Sequence, residues 1–217
     1  MKEAVRKFIL SRARDVFQAN GFAGATVDEI AAAAEVSKPT LYNYFKGKNA
    51  IFMAVLKDLH NEVAAEIRPY VTDSPQGFNS RMRRMALQIA KSFFSQQGLA
   101  RIMLSERRLI LEVFSREEGL DDEEFKRFFM HGEIFKVLSE FFAAARVAGE
   151  FTSDAKPDIL AAMYIGMMGQ INMYQVLHEW REEEYMSAVE TAVDVFCHGL
   201  VRCDVGESQG VDAGKGC

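Results

Sequence analysis

Residues 26–45 read TVDEIAAAAEVSKPTLYNYF, and this stretch decides the fold. Thr26-Val-Asp-Glu29 is a capping box, in which a threonine hydroxyl and a glutamate three residues later satisfy each other's backbone donors. A helix therefore starts at Val27. Its inward stripe is Val27, Ile30, Ala31 and Ala34, and the small alanines let a second helix cross closely. A short break follows at Glu35-Val36, with Val36 expected inside. Ser37 then caps a third helix, and Pro39 is tolerated in a first turn, where a missing N–H costs no helical hydrogen bond. Gly47 ends it. Two short capped helices joined by a tight turn form a helix-turn-helix.

With Leu41 pointing inward, Phe45 shares its side, while Pro39, Thr40, Tyr42 and Asn43 face away and Lys38 and Tyr44 flank them. Such a face suits a DNA groove. Asn bonds an adenine edge bidentately, Thr bonds a base or touches a thymine methyl, and Tyr hydroxyls reach phosphates. On spacing alone, the plainer alternative of a solvated face on any αα-hairpin stays open.

Outward from this stretch, the periodicity is helical and no convincing alternating strand is found. Upstream, Val5, Phe8, Ile9, Val16 and Phe17 recur at three- and four-residue spacing, and Asn20-Gly21 stops that helix. Downstream, Lys48–Ile67 reads as a fourth helix with Pro69 beyond it. The spacing then predicts helices over 78–97, over 101–118 (bent or in two pieces), over 121–147, over 156–180 and over 183–202. The Gly-rich tail at 204–217 lacks an apolar stripe and is expected to be disordered.

Composition agrees. The chain has 217 residues, 49% apolar and 26% charged, which excludes a disordered chain or a fibrous repeat. Four Pro against 17 Phe and 11 Met fits long helices. The three Cys (Cys197, Cys203, Cys217) are odd in number and crowded near one end, so no disulfide framework is expected. With no apolar signal core at the start, the expected location is cytoplasmic. The net charge of −5 hides an asymmetry: residues 1–57 carry nine Lys or Arg against five acids, a net +4, and the remainder is −9. A basic head on an acidic body is the pattern of a nucleic-acid-binding module joined to a non-binding domain.

Residues 8–56, with ARDVFQANGF at 13–22 and the ungapped VSKPTLYNYFKGK at 36–48, resemble the N-terminal domain of TetR-family transcriptional regulators. The resemblance covers about the first quarter of the chain. It implies an all-α protein: a three-helix helix-turn-helix DNA-binding domain over 1–48, then a larger helical effector-binding and dimerisation domain over 49–203. It implies DNA contacts from Thr26, Ser37, Lys38, Thr40, Tyr42, Asn43, Tyr44 and Lys48, to which the helical wheel adds Pro39. Thr26, Tyr44 and Lys48 read as phosphate clamps, and Thr40, Tyr42 and Asn43 as base readers. One departure is Glu35, where many members carry Gly; a non-Gly residue in left-handed geometry costs roughly 1 kcal/mol.

One helix-turn-helix buries too little DNA for useful specificity, so a homodimer on a pseudo-palindromic operator is expected, joined through the last two long helices. Within them, residues 159–177 carry no charge, but Gln170, Asn172 and Gln175 interrupt the run and charges flank it, which favours a buried dimer helix over a membrane span. Family habit implies a repressor released by a small, largely apolar or aromatic effector. Phe93, Met103, Phe135, Met163, Met167, Gln170 and Tyr174 are the candidate pocket residues. No cofactor or metal is expected, and no enzyme. The residues three before His60, His131, His178 and His198 are Lys57, Phe128, Gln175 and Val195, so the Glu-x-x-His signature of di-iron bundles is missing. Asp121–Glu124 is a single acidic run at an expected helix start, where acids oppose the dipole. There is no nucleophile elbow, phosphate loop or dinucleotide fingerprint.

Overall fold

The computed structural model describes residues 2–72, 76–99, 102 and 132–200, and every regular element among them is a helix. In chain order these are α1 (Lys2–Gly24), α2 (Val27–Ala33), α3 (Lys38–Tyr42), α4 (Lys48–Ile67), α5 (Pro69–Thr72), α6 (Phe78–Ser95), α7 (Glu133–Val147), α8 (Pro157–His178) and α9 (Glu182–Leu200). The expected stop at Asn20-Gly21 is a break inside α1: Gly21 takes φ 71°, which L side chains rarely adopt, and one more helical turn follows. The helix expected over 121–147 begins instead at Glu133, because Gly132 is extended (φ −63°, ψ 170°) and acts as its N-cap. The expected helix over 101–118, apart from Ile102, the run 121–131 and the tail lie outside the described residues. Among the described residues no helix is long and apolar enough to cross a membrane.

Two hydrophobic cores organise the chain. The head core packs α1, α2, α3 and the first half of α4 around three rings: Phe52 lies 5.0 Å from Phe17 and 4.9 Å from Phe22, centroid to centroid. Aromatic groupings of this kind contribute roughly 0.5–1.5 kcal/mol per pair beyond simple burial. The body core packs α4's second half with α5 to α9. Its aromatic centre is Phe78, with Phe141 at 5.4 Å and Phe151 at 5.5 Å. The domain boundary expected at residue 48 thus precedes a helix that the two cores share: residues 51–56 belong to the head, Ala64 and Ile67 to the body. The body reaches back as well. Leu99 and Ile102, beyond the end of α6, are buried in the head core, and Gln18 Nε2 donates to Gln96 Oε1 at 2.7 Å.

One charge lies deep in the body. Arg81 on α6 is buried, donates to the carbonyls of Tyr70 (3.3 Å) and Val71 (3.0 Å), pairs with Glu150, and lies over the Phe141 ring. Its two terminal nitrogens are taken up in this way, while its buried Nε has no hydrogen-bond partner. It ties α5 and the loop after α7 to α6.

His60 sits on α4 between the two sets of core residues, and burial pushes its imidazole down to about 4. In the unfolded chain it titrates near its ordinary value of about 6.5. Between these values the unfolded state binds the extra proton, so the contribution is complete above about pH 7 and is lost as pH falls toward 4. The expected loss is on the order of 3 kcal/mol, and His60→Gln should remove that part of the pH dependence. Urea unfolding at pH 7, 5.5 and 4 checks this; parallel profiles for the two proteins would refute it.

Candidate nucleic-acid interface

The local chemistry of residues 26–45 builds the surface. Thr26 is extended (φ −120°, ψ 153°), and its hydroxyl accepts from the Glu29 N–H at 3.2 Å. In return the Thr26 N–H and hydroxyl both donate to Glu29 Oε2 at 2.8 Å. These bonds from Thr26 hold the Glu29 carboxyl below the usual carboxylate range. The N-terminus of α2, where a phosphate would be welcome, is therefore already occupied by the chain's own carboxylate. After α2 the chain turns through Glu35 at φ 52°, and the Val36 N–H reaches back to the Ala31 carbonyl at 3.0 Å. The departure from Gly noted in the sequence does fall on a left-handed residue.

Ser37 caps α3, accepting from the Thr40 N–H at 3.2 Å while the Ser37 and Thr40 hydroxyls bond at 2.7 Å. Leu41 and Phe45 anchor the helix in the head core, and the Arg6 guanidinium lies over the Phe45 ring at 5.4 Å. The opposite face is open. Ser37, Lys38, Pro39, Tyr42 and Asn43 are exposed, Tyr42 at 48% despite its large ring, and Thr40 and Tyr44 are half-buried. Lys38 pairs with Asp28 Oδ1 at 2.9 Å, and this bond raises its ammonium above the usual range. Exposed pairs of this kind are worth little, so a phosphate can compete for the lysine. Thr26 is exposed on the neighbouring helix.

Lys48 stands apart from the others. Its ammonium donates to the carbonyls of Phe22 (2.9 Å), Ala23 (3.3 Å) and Ala25 (3.0 Å) and lies over the Phe22 ring at 4.9 Å. Sequence spacing places it beside the recognition helix; only the folded chain shows where its charge goes.

The pocket candidates divide into two groups. Phe93, Phe135 and Met167 are half-buried against the body core, with Phe93 6.2 Å from the Tyr185 ring. Met163, Gln170 and Tyr174 lie on the outer face of α8 instead, with Met163 56% exposed and the Tyr174 ring tilted against His178 at 4.3 Å. The reason is helical phase: Leu160, Tyr164, Met168 and Gln175 take the inner side, which leaves residues 163, 170 and 174 on the other. Met103 lies outside the described residues. Sequence reasoning did not single out Tyr164 or Tyr185. Tyr185 donates its hydroxyl to Asn172 Oδ1 at 2.6 Å, while the buried Tyr164 hydroxyl has no hydrogen-bond partner. Burial raises both phenols above their usual range. Among the described residues no group of three His, Cys, Asp or Glu is placed to hold a metal ion.

A model of bacterial regulatory proteins of the tetR family matches residues 9–55. The HTH-type transcriptional regulator RutR of Escherichia coli K12 is 33% identical over 91 residues, 42% of this chain and 43% of RutR, so the match spans less than half of that relative's length. The HTH-type transcriptional regulator YdgC of Bacillus subtilis strain 168, itself uncharacterized, is 28% identical over 206 residues, 90% of this chain and 92% of YdgC. Among solved structures, a TetR-family transcriptional regulator from Pectobacterium atrosepticum aligns with TM-score 0.67 at 18% identity, over 92% of this chain and 95% of that one. The transcriptional regulator FadR of Bacillus subtilis, in complex with stearoyl-CoA, aligns with TM-score 0.70 at 15% identity, over 89% and 98%.

The left-handed Glu35 makes one expectation concrete. Glu35→Gly should stabilise the chain by about 1 kcal/mol, since Gly carries no Cβ to strain at φ > 0. Equilibrium unfolding in urea measures this, and an unchanged or lower midpoint would refute it.

Proposed function

The chain belongs to the TetR family of transcriptional regulators, and on that premise we propose that it is a cytoplasmic, homodimeric repressor that reads a pseudo-palindromic operator and is released by a small apolar or aromatic effector. The observation that carries the DNA-binding part is the open face of α3, whose Lys38, Pro39, Tyr42 and Asn43 stand out to solvent while Leu41 and Phe45 hold the helix from behind. Set into a major groove, Asn43 bonds an adenine edge, Thr40 meets a base or a thymine methyl, and Tyr42 reads beside them. Ser37, Lys38 and Tyr44 reach phosphates, as does Thr26 once the Glu29 carboxylate yields its place.

Dimerisation uses the outward faces of α8 and α9. Ile159, Met163, Tyr174 and Leu177 on α8 and Val195 on α9 are large apolar or aromatic residues left exposed, an unusual concentration for a surface without a partner. A Cβ built on Gly166 or Gly169 meets nothing within 4 Å, so a second helix has room to approach that stripe. A dimer through that stripe supplies the two α3 helices that half-sites separated by whole turns of the duplex require. For the effector, Phe93, Phe135 and Met167 are the wall we favour. The FadR of Bacillus subtilis, alike in fold, holds stearoyl-CoA, which supports an apolar ligand inside such a body. The effector acts by binding better to the arrangement of heads that does not fit the operator.

Selection of bound fragments from random DNA should enrich an inverted repeat. Tyr42→Ala should then weaken binding to that repeat by about 1–3 kcal/mol and relax sequence preference, with the dimer intact. Unchanged affinity and preference would overturn the assignment of the α3 face. A helical adaptor that binds protein would give no enriched sequence and no steep salt dependence on duplex DNA. Met163→Glu should convert the dimer to a folded monomer, read by light scattering with circular dichroism; a dimer of unchanged strength would remove α8 from the interface.

A further inference from the structure

We propose that Lys48 is a positioning residue of the DNA-binding head: its ammonium closes the C-terminal end of α1 and so fixes where α2 begins relative to α4, and it does not clamp a phosphate. Lys48 stands where its own helix does not favour its charge. Lys48 is the first residue of α4, where the positive end of the helix dipole disfavours a cation, and Gly47 before it gives no side-chain cap. The charge therefore needs another partner. The end of α1 supplies one. A helix terminates in carbonyls without intrahelical partners and carries negative partial charge, and here the break at Gly21 turns residues 22–25 toward α4.

The match of donors to acceptors is complete. An ammonium has three N–H groups, and Lys48 Nζ has three carbonyls within reach, those of Phe22 at 2.9 Å, Ala23 at 3.3 Å and Ala25 at 3.0 Å. The Phe22 ring lies 4.9 Å from the same nitrogen, which adds a cation–π contact. Phe22 and Ala25 are themselves buried, so a phosphate that drew the ammonium away would strip bonds from carbonyls shielded from water. The residue after Ala25 is Thr26, the cap of α2. Holding the Ala25 carbonyl thus sets the start of the helix that supports α3. Lys46, two residues earlier, is exposed and is the cation of this segment that a phosphate meets first.

The consequence for DNA rests on the repressor reading above, but the contact itself does not, and the tests keep the two apart. In the free wild-type protein, acetylation by an N-hydroxysuccinimide ester followed by mass spectrometry should modify Lys46 at least about tenfold faster than Lys48, because only the second has its donors engaged. Equal rates would overturn the proposal without any variant being made. Lys48→Met should lower Tm, speed hydrogen exchange at the amides of residues 26–29, and weaken operator binding while leaving the salt slope as in wild type. Lys46→Met should reduce that slope by about one phosphate's share, roughly 0.9, with Tm unchanged. A slope reduced by that amount in Lys48→Met would make it a phosphate contact and overturn the proposal, whatever happens to Tm. If wild type binds no duplex at low salt, the repressor reading fails, and acetylation and exchange still decide the role of Lys48.

Discussion

Helix α4 places residues 51–56 in one hydrophobic core and Ala64 and Ile67 in another. A helix of 20 residues is a rod about 30 Å long, and it bends little. Any rotation or tilt imposed on its body end therefore arrives at the head, because neither core can release its residues without losing burial worth roughly 1.5–3 kcal/mol for each large side chain. The head has no independent way to orient itself. It takes its setting from α4, from the staple at Lys48, and from the body residues Leu99 and Ile102 that fill its core. The position of α3 relative to the body is thus set through α4 and these contacts.

The parts of this fold legible in the sequence were those fixed by local chemistry. The Thr26 capping box, the Ser37 cap and the bounds of α4 follow from residues within four positions of one another, and each stands in the structure as read. The left-handed Glu35 was legible through the family resemblance, since many members carry Gly at that turn. What the sequence does not show depends on partners distant along the chain. The hydrogen bonds of the Lys48 ammonium, for example, run to carbonyls more than twenty residues earlier, and no spacing rule reaches so far. Gly132 was overlooked because an acidic run at 121–124 gave a plausible start for a longer helix. On α8 both sides are apolar, so periodicity does not say which side faces inward, and the structure places Met163, Gln170 and Tyr174 on the exposed one.

The candidate DNA-facing surface is also less positive than its residue count suggests. Asp28 pairs with Lys38, and Glu29 sits at the N-terminus of α2. Both acids lie on the first helix of the motif, within reach of groups that would otherwise meet phosphates. Each is exposed and therefore readily displaced by the concentrated charge of a duplex, whereas a single small anion offers less in return. The arrangement favours a polyanion over stray phosphate without weakening the fold, since α2 keeps its cap in the free state.

Leu99 and Ile102 bear on how such molecules can be recombined. They come from the far side of α6 yet are buried among residues 9–56. A chimera that joins this head to a foreign body anywhere before residue 99 would leave two empty apolar slots in the head unless the donor body happened to supply side chains of matching size. Heads and bodies of this architecture are therefore not freely interchangeable cassettes. The smallest transplantable unit includes a short piece of the part being replaced.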